Sequence, residues 1–332
     1  MMLLELRGGL ARRQGLLRRR SRSVSYMSNP ARFGVQADPK DAKEFLQAAE
    51  TAEAAGLYAL FVPDHPVSCV SPFVALAAAA TVTRRIRLGT YVLNTGVHHP
   101  LQTANDVNTL DLMTDGRAIL GVGAGHTPAE WTQRGLTYPT AKSRVDRMMK
   151  FTEHVRSLSR GDVVNGNDNH FTFNDAVIGH PIAHQTPVPL LVGGNGPTVL
   201  RFAGAHSDTA SVSGLGTTKS DGHSHIPKWS HAEIDDSISH IRTGAAGRPG
   251  PVLEALVQIL KITDNRQETL ASFARLADID ISLVEDNPFV LVGTAAHIAD
   301  QVAAHRERWG FTSFVARTGD LPDLATLSQH MT

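Results

Sequence analysis

The feature that most constrains the fold is a regular alternation of short apolar segments with amphipathic segments along most of the chain. The apolar segments read as strands and the amphipathic ones, whose apolar residues recur every three to four positions, read as helices. The predicted strands cover residues 33–37, 57–62, 86–93, 117–122, 188–192, 208–212, 254–262 and 311–316. Because most of these strands are apolar throughout, they are expected to form a parallel sheet with both faces buried.

Eight alternating units are typical of a (β/α)8 TIM barrel, which takes about 250 residues plus insertions. An open doubly wound sheet is the main competitor, and it predicts a GxGxxG turn after the first strand. Here the first strand runs into Ala37, Asp38 and Pro39, which excludes that turn. The prediction is therefore a barrel with two insertions. One is a hairpin at 162–175 before strand five, and the other is a single long loop at 213–251 after strand six, able to act as a lid.

Charge is distributed unevenly along the chain. The 332 residues carry 32 basic and 32 acidic side chains, but residues 1–26 hold seven arginines and one acid, so the remainder has a net charge of −6. We interpret residues 1–26 as a basic, disordered extension and residues 27–332 as one domain. An Arg-rich transit peptide is the alternative for the extension. The acidic domain argues against nucleic acid as a partner.

The same composition bears on the compartment. A single cysteine, Cys69, rules out an internal disulfide and a cysteine-based metal site. The chain has no long apolar run of the kind that spans a membrane. We therefore expect a cytoplasmic protein without a membrane partner.

Polar and glycine residues concentrate where the predicted strands end, which is where a barrel places its functional groups. Strand two ends in Asp64 and His65, and strand three ends in Asn94. Strand four ends in the run Gly121–His126 and strand five in the run Gly193–Gly196, directly before a helix that starts at Pro197. Free amides at a helix N-terminus without bulky side chains favour an anion site, although glycine also serves ordinary turns.

These motifs, in order and spacing, resemble the bacterial-luciferase-like superfamily, and within it the branch that uses the deazaflavin coenzyme F420. The resemblance rests on the segments FVPDH (61–65), LGTYVLN (88–94), GVGAG (121–125), VPLLVGGNGP (188–197) and PFVLVG (288–293). It implies an oxidoreductase that transfers hydride between F420 and a small organic substrate. FMN, in a luciferase-like monooxygenase, is the alternative coenzyme.

The resemblance also implies where the coenzyme binds. It assigns the phosphate to the loop after strand five and the ring to a non-proline cis peptide between Tyr91 and Val92. It assigns a ring hydrogen bond to Asn94. The full set of expected coenzyme contacts is Tyr91, Val92, Asn94, Gly123, Ala124, Gly125, Gly193, Gly194, Asn195, Gly196 and Thr198.

The expected catalytic residues are His65, Asp64 and His126. An imidazole titrates near neutral pH and suits proton transfer alongside hydride transfer, and Asp64 would help to orient His65. In the sugar-phosphate dehydrogenases of the branch a glutamate follows the Gly-x-Gly segment, whereas this chain has His126. This departure puts the sugar-phosphate reaction in doubt.

Histidine pairs elsewhere raise the question of a metal. His98 with His99, and His223 with His225 and His231, have no carboxylate at a regular helical offset, so no metal site is predicted. A barrel that binds a phosphorylated ligand without catalysis is the third function considered. The resemblance further implies a homodimer. Since the net-negative domain does not attract an anionic coenzyme, the local amides at Gly193–Gly196 and nearby basic residues must bind it. Deleting residues 1–26 is expected to leave coenzyme affinity unchanged.

Overall fold

The structure is a computed structural model that describes residues 31–179, 183–218 and 225–331, without the side chains of residues 217 and 218. The predicted extension at 1–26 lies outside the described residues. The helices and strands, in chain order, are β1 (Arg32–Gln36), α1 (Ala42–Ala54), β2 (Ala59–Val62), α2 (Pro72–Val82), β3 (Arg87–Thr90), β4 (Leu93–Asn94), α3 (Pro100–Met113), β5 (Ala118–Gly123), α4 (Ala129–Thr132), α5 (Ala141–Ser159), β6 (Val164–Asn167), β7 (Thr172–Ala176), β8 (Leu190–Gly193), α6 (Pro197–His206), β9 (Thr209–Val212), β10 (Leu215–Thr218), β11 (His225–Pro227), α7 (His231–Ala245), β12 (Val252–Leu256), β13 (Ile259–Ile262), α8 (Arg266–Ala277), β14 (Val290–Gly293), α9 (Ala295–Trp309), β15 (Phe311–Arg317) and α10 (Leu321–His330).

The main sheet closes into a parallel barrel. Its strands follow the order β3-β2-β1-β15-β12-β9-β8-β5-β4, and β3 also pairs with β5. Since β4 continues β3 after a two-residue break, the barrel has eight strand positions. This confirms the predicted (β/α)8 fold, and the predicted hairpin before strand five is the antiparallel pair β6–β7.

Two predicted strands are interrupted. The third strand breaks between β3 and β4, at Tyr91 and Val92. The predicted seventh strand at 254–262 is two strands, because the chain leaves the barrel after Leu256 and β13 pairs with β14 in a separate two-stranded sheet. Apolar residues recur in both halves, and Ala255, Val257 and Leu260 are buried, so the pattern alone did not mark the boundary.

The prediction of one long loop at 213–251 is wrong. The described part of this segment contains the antiparallel pair β10–β11 and the 15-residue helix α7. Helix α7 starts with a capping box between Ser230 and Glu233, in which each side chain bonds the other's backbone amide. Its apolar positions Ile234, Ile238 and Ile241 are buried, at the i, i+4, i+7 spacing of a helix, among the polar residues that suggested a loop.

Helix α7 packs closely on α6 through glycine. A Cβ on Gly204 of α6 would lie 2.0 Å from the carbonyl oxygen of Ile241, and a Cβ on Gly244 of α7 would lie 2.0 Å from that of Arg201. The sequence pattern also did not predict helix α10, which follows β15. In the described ranges of the chain, no helix is both long and apolar enough to cross a bilayer.

Candidate functional site

A large cavity lies at the carboxyl ends of the barrel strands, with a volume of about 1150 Å³. The parallel barrel explains this placement, because all its strands end at the same face and their loops meet there. Of the fourteen residues predicted to form the site, all line the cavity except Thr198, which is exposed outside it. The structure thus brings together residues that the sequence separates by more than a hundred positions.

The break in the third strand forms part of the cavity wall. The peptide bond between Tyr91 and Val92 is cis, which confirms that expectation. The Val92 side chain lies between two glycines: a Cβ on Gly123 would come within 2.5 Å of its Cγ2, and a Cβ on Gly193 within 2.9 Å of its Cγ1. Glycine at both positions is therefore required by the space that Val92 occupies.

Hydrogen bonds hold Tyr91 from two sides. Its carbonyl oxygen accepts from Nε2 of Gln36 at 2.6 Å. Its hydroxyl bonds the Ser211 hydroxyl inside the barrel. Burial is the main reason that the pKa of the Tyr91 phenol lies well above its usual value, so this hydroxyl stays protonated.

His65 is paired with a buried carboxylate that sequence reasoning missed. Nδ1 of His65 lies 2.6 Å from Oε1 of Glu130, whose side chain is fully shielded from solvent. The amide of Asn94 donates to the other carboxylate oxygen. The hydrogen bond from His65 to the Glu130 carboxylate raises the pKa of His65 above its ordinary value of 6.5, against the effect of burial. The pair leaves Nε2 as the ring nitrogen for proton exchange.

Asp64 does not contact His65, contrary to the interpretation that it orients this ring. Its Oδ2 accepts from the backbone amide of Asn94 and lies 2.8 Å from Nε2 of His98. Asp64 instead joins the ends of the second and third strands.

Three histidines, His65, His126 and His225, form a row in the cavity. The ring centroid of His126 lies 5.4 Å from that of His65 and 5.1 Å from that of His225, both edge to face. His225 comes from β11, within the insertion after strand six. The structure therefore places His126 beside His65, where the sequence expected it.

The loop after strand five is built from small residues, as predicted. Gly196 is the N-cap of α6, with Pro197 in its first turn, and a Cβ on Gly196 would meet no atom within 4 Å. A Cβ on Gly194 would lie 2.7 Å from Val199. The Asn195 side chain is bonded to the backbone amide and hydroxyl of Ser213, so it fixes the neighbouring strand end. The backbone amide of Gly194 donates to the Ser211 carbonyl at 3.2 Å, so within this loop the open space lies at Gly196.

Comparison with known proteins identifies the family. The sequence profile of the luciferase-like monooxygenases matches residues 23–249, about two thirds of the chain. The chain belongs to the luciferase-like monooxygenase family.

Relatives of this luciferase-like chain include coenzyme F420 enzymes and a monooxygenase. It is 31% identical over 194 residues to an F420-dependent glucose-6-phosphate dehydrogenase of Amycolatopsis mediterranei, covering 56% of this chain and 55% of that one. It is 31% identical over 206 residues to the 4-hydroxyprotoasukamycin monooxygenase of Streptomyces nodosus subsp. asukaensis, covering 60% and 54%. The chain thus spans about half the length of the curated relatives it matches.

A solved structure shares the luciferase-like fold over nearly the whole chain. The coenzyme F420-dependent tetrahydromethanopterin reductase from Methanopyrus kandleri superposes with a TM-score of 0.73 at 18% identity, covering 92% of this chain and all of that one. At this identity the likeness supports the fold alone.

Further polar residues of this luciferase-like cavity carried no signal in the sequence. Glu130 lies on α4, a helix of a single turn. Arg144 of α5 donates from Nε to the carbonyl of Gly125 at 2.9 Å and stacks over the Tyr138 ring. Lys228 and Arg317 line the side formed by later strands. Their roles depend on contacts between loops distant in sequence, which no local pattern records.

The histidine pairs considered for a metal have other partners. His98 bonds Asp64, Nδ1 of His99 accepts from a backbone amide in the first turn of α3, and Nε2 of His231 lies 2.9 Å from the carbonyl oxygen of Asp286. His223 lies outside the described residues. Within 31–179, 183–218 and 225–331, no three His, Cys, Asp or Glu side chains form a group suited to a metal ion.

Proposed function

We propose that this chain is an F420-dependent oxidoreductase that transfers hydride between the deazaflavin and a small organic substrate. The observation that carries the proposal is one cavity that is lined both by Val92, packed between two obligatory glycines, and by the His65–Glu130 pair. The F420-dependent relatives support the choice of coenzyme.

The residues present fit such a coenzyme. The loop Gly193–Gly196 would form a cradle for a phosphate through the amides of Asn195 and Gly196 at the start of α6, and the cavity wall at Tyr91 and Val92 would support a planar ring. Arg144 lies close to Gly125, at the strand end next to this cradle, where a cation favours an anionic ligand. When bound, the coenzyme supplies a two-electron hydride carrier.

The protein's own contribution is the accompanying proton. Oxidation of an alcohol releases a hydride from carbon and a proton from oxygen, and reduction of a carbonyl takes up both. We assign the proton to Nε2 of His65, since Nδ1 is held by Glu130. The hydrogen bond to Glu130 raises the pKa of His65 above its ordinary value of 6.5, so the pair favours the imidazolium that can donate a proton. We propose that the adjacent His126 contacts the substrate or shares in acid–base catalysis.

Coenzyme titration tests the proposal. We expect F420 to bind the purified chain with a change in its visible absorption and fluorescence, and FMN to bind much more weakly. Tight FMN binding without F420 binding would instead support a luciferase-like monooxygenase, for which the Streptomyces relative is the precedent. F420 binding without turnover on a broad panel of alcohols and carbonyls would favour a non-catalytic barrel.

We also propose that the chain forms a homodimer, as the family resemblance implies. Sedimentation velocity at micromolar concentration is the measurement, and a single monomeric species would contradict it.

A further inference from the structure

Arg317 is held at the cavity mouth by two neutral side chains. It is the last residue of β15, and it is exposed. Its Nη1 donates to Oε1 of Gln36 at 3.0 Å, and its Nη2 donates to Oε1 of Gln258 at 3.3 Å. Gln36 ends β1 and Gln258 follows β12, so the two strand positions beside β15 each supply one amide oxygen.

Neutral acceptors orient a guanidinium without cancelling its charge. The group has five N–H donors, and the two glutamines take two of them. In the described part of the chain, no carboxylate lies within 4.0 Å of the Arg317 guanidinium nitrogens. The acid that Arg317 influences is Asp320, whose pKa is raised chiefly by burial. Arg317 therefore presents oriented donors and a positive charge that no directly bonded carboxylate in the described part of the chain neutralises.

A second cation lines the same cavity. The Lys228 stem lies against Gly216 of β10, where a Cβ would come within 3.0 Å of its Cγ. The carboxylates of the cavity wall are already engaged: Asp64 with His98, Glu130 with His65, and Asp38 with Lys40. Among the described residues, neither Lys228 nor Arg317 has a carboxylate within 4.0 Å, so both cations are available to a ligand even though residues 27–332 are net negative.

Arg317 is remote from the glycine cradle in the barrel order. The cradle follows β8, whereas Arg317 and its glutamines stand at β15, β1 and β12, with β9 between β12 and β8. Gln36 links the two regions, since its Nε2 bonds the carbonyl of Tyr91 while its Oε1 accepts from Arg317. The arginine is thereby held at a fixed place relative to the wall on which we place the coenzyme ring.

We propose that Arg317, assisted by Lys228, forms an anion subsite that binds a carboxylate or phosphate group of the substrate. The inference rests on the proposed function, because it assigns the glycine cradle to the coenzyme and this side to the substrate. An arginine fork matches the paired oxygens of both groups, and charge-assisted hydrogen bonds of this kind are the strong ones. The substrate class is thus an alcohol or carbonyl compound that carries an anionic group.

The test compares three variants. Arg317→Gln removes the cation. Gln258→Glu keeps the arginine but gives its guanidinium a carboxylate partner. This change also removes the hydrogen bond from Nε2 of Gln258 to the Leu256 carbonyl. Arg275→Gln removes an exposed arginine of α8, outside the cavity, and is the matched control. Inorganic phosphate and malonate are titrated calorimetrically into each F420-loaded protein, and thermal melting confirms folding.

We expect phosphate or malonate to bind the loaded wild type, and both cavity variants to bind it about tenfold more weakly or worse. The control is expected to match wild type, and the F420 affinity of all four proteins to agree within about twofold. Binding of phosphate but not malonate identifies a phosphate subsite, and the reverse a carboxylate subsite.

Equal anion affinity in all four proteins overturns the inference, as does loss of anion binding once F420 is loaded, which would assign the anion to the glycine cradle. A marked loss of F420 affinity in Arg317→Gln also overturns it, because the arginine would then serve the coenzyme. If wild type fails to bind F420, the proposed function fails. In that case anion binding is measured in the unloaded wild type and in unloaded Arg317→Gln. A difference between them supports the anion subsite even though the proposed function has failed, and equal affinity overturns the subsite as well.

Discussion

Nδ1 of His65 lies 2.6 Å from Oε1 of the buried Glu130. A carboxylate on the one-turn helix α4 therefore positions the His65 ring in the loop after β2. The pair makes His65 a base with a defined tautomer. It also ties His65 to Asn94, which donates to the same carboxylate. One acid thus organises two of the residues expected from the sequence.

Replacing Glu130 with Gln is expected to lower the pKa of His65. The carboxylate favours the imidazolium, and without it burial favours the neutral ring. In the wild type, the charged form should therefore persist to a higher pH than in the variant. Histidine NMR titration measures this, with His65→Asn to assign the resonance. An unchanged titration midpoint would show that the pair does not control His65.

Replacing His65 with Asn is expected to reduce turnover by about two to four orders of magnitude, the usual contribution of a general acid or base. F420 affinity should stay close to wild type, because the glycine loop and Val92 are untouched. F420 absorbance follows turnover, with glucose 6-phosphate and 2-propanol as the first substrates tested. Full activity in the variant would remove His65 from the mechanism.

Replacing Gly123 with Ala is expected to weaken F420 binding by about tenfold or more, since the new Cβ would lie 2.5 Å from Val92 Cγ2 and displace that side chain. Gly179→Ala is the matched control, because its Cβ would meet no atom within 4 Å. Fluorescence titration gives the affinities and thermal melting the stability. If Gly123→Ala binds F420 as tightly as wild type, Val92 does not form part of the coenzyme site.

The stability of the fold is expected to fall between pH 6.5 and about 4 because of His305. Burial lowers the pKa of this histidine to about 4, so the unfolded chain binds a proton that the folded chain rejects in this window. The stabilisation is complete above pH 6.5 and is lost as the pH falls. Between pH 6.5 and 5 the loss should be on the order of 2 kcal/mol.

Urea unfolding of wild type and His305→Gln at those two pH values checks this. The variant should lose clearly less stability on acidification. An identical loss in both proteins would assign the acid sensitivity to other groups.

The sequence was informative wherever structure follows a local period. Strands apolar throughout imply a parallel sheet with both faces covered, and the number of alternating units implies a closed barrel. Since parallel strands end at one face, the residues after each strand were expected to meet, and they line one cavity. The helix after the fifth strand starts at Pro197, where the pattern predicts it.

Hydrophobic periodicity did not predict the structure correctly where polar and apolar residues are mixed. The sequence pattern predicts a loop in place of helix α7, because serine and histidine residues lie among its buried isoleucines and obscure the helical period. The barrel interior also departs from an apolar core: Glu254 of β12 is fully buried and accepts from the hydroxyls of Tyr58 and Ser313. Burial raises its pKa.

By itself, the sequence determined the barrel and the strand ends that surround the site, because strand and helix periods and terminal glycines are properties of neighbouring residues. Only the tertiary structure decided which side chains act together there. Glu130 reaches His65 across 65 positions, and Arg317 reaches Gln36 across 281. The closed barrel brings its first and last strands side by side, but no local pattern records which side chains of the distant loops then meet.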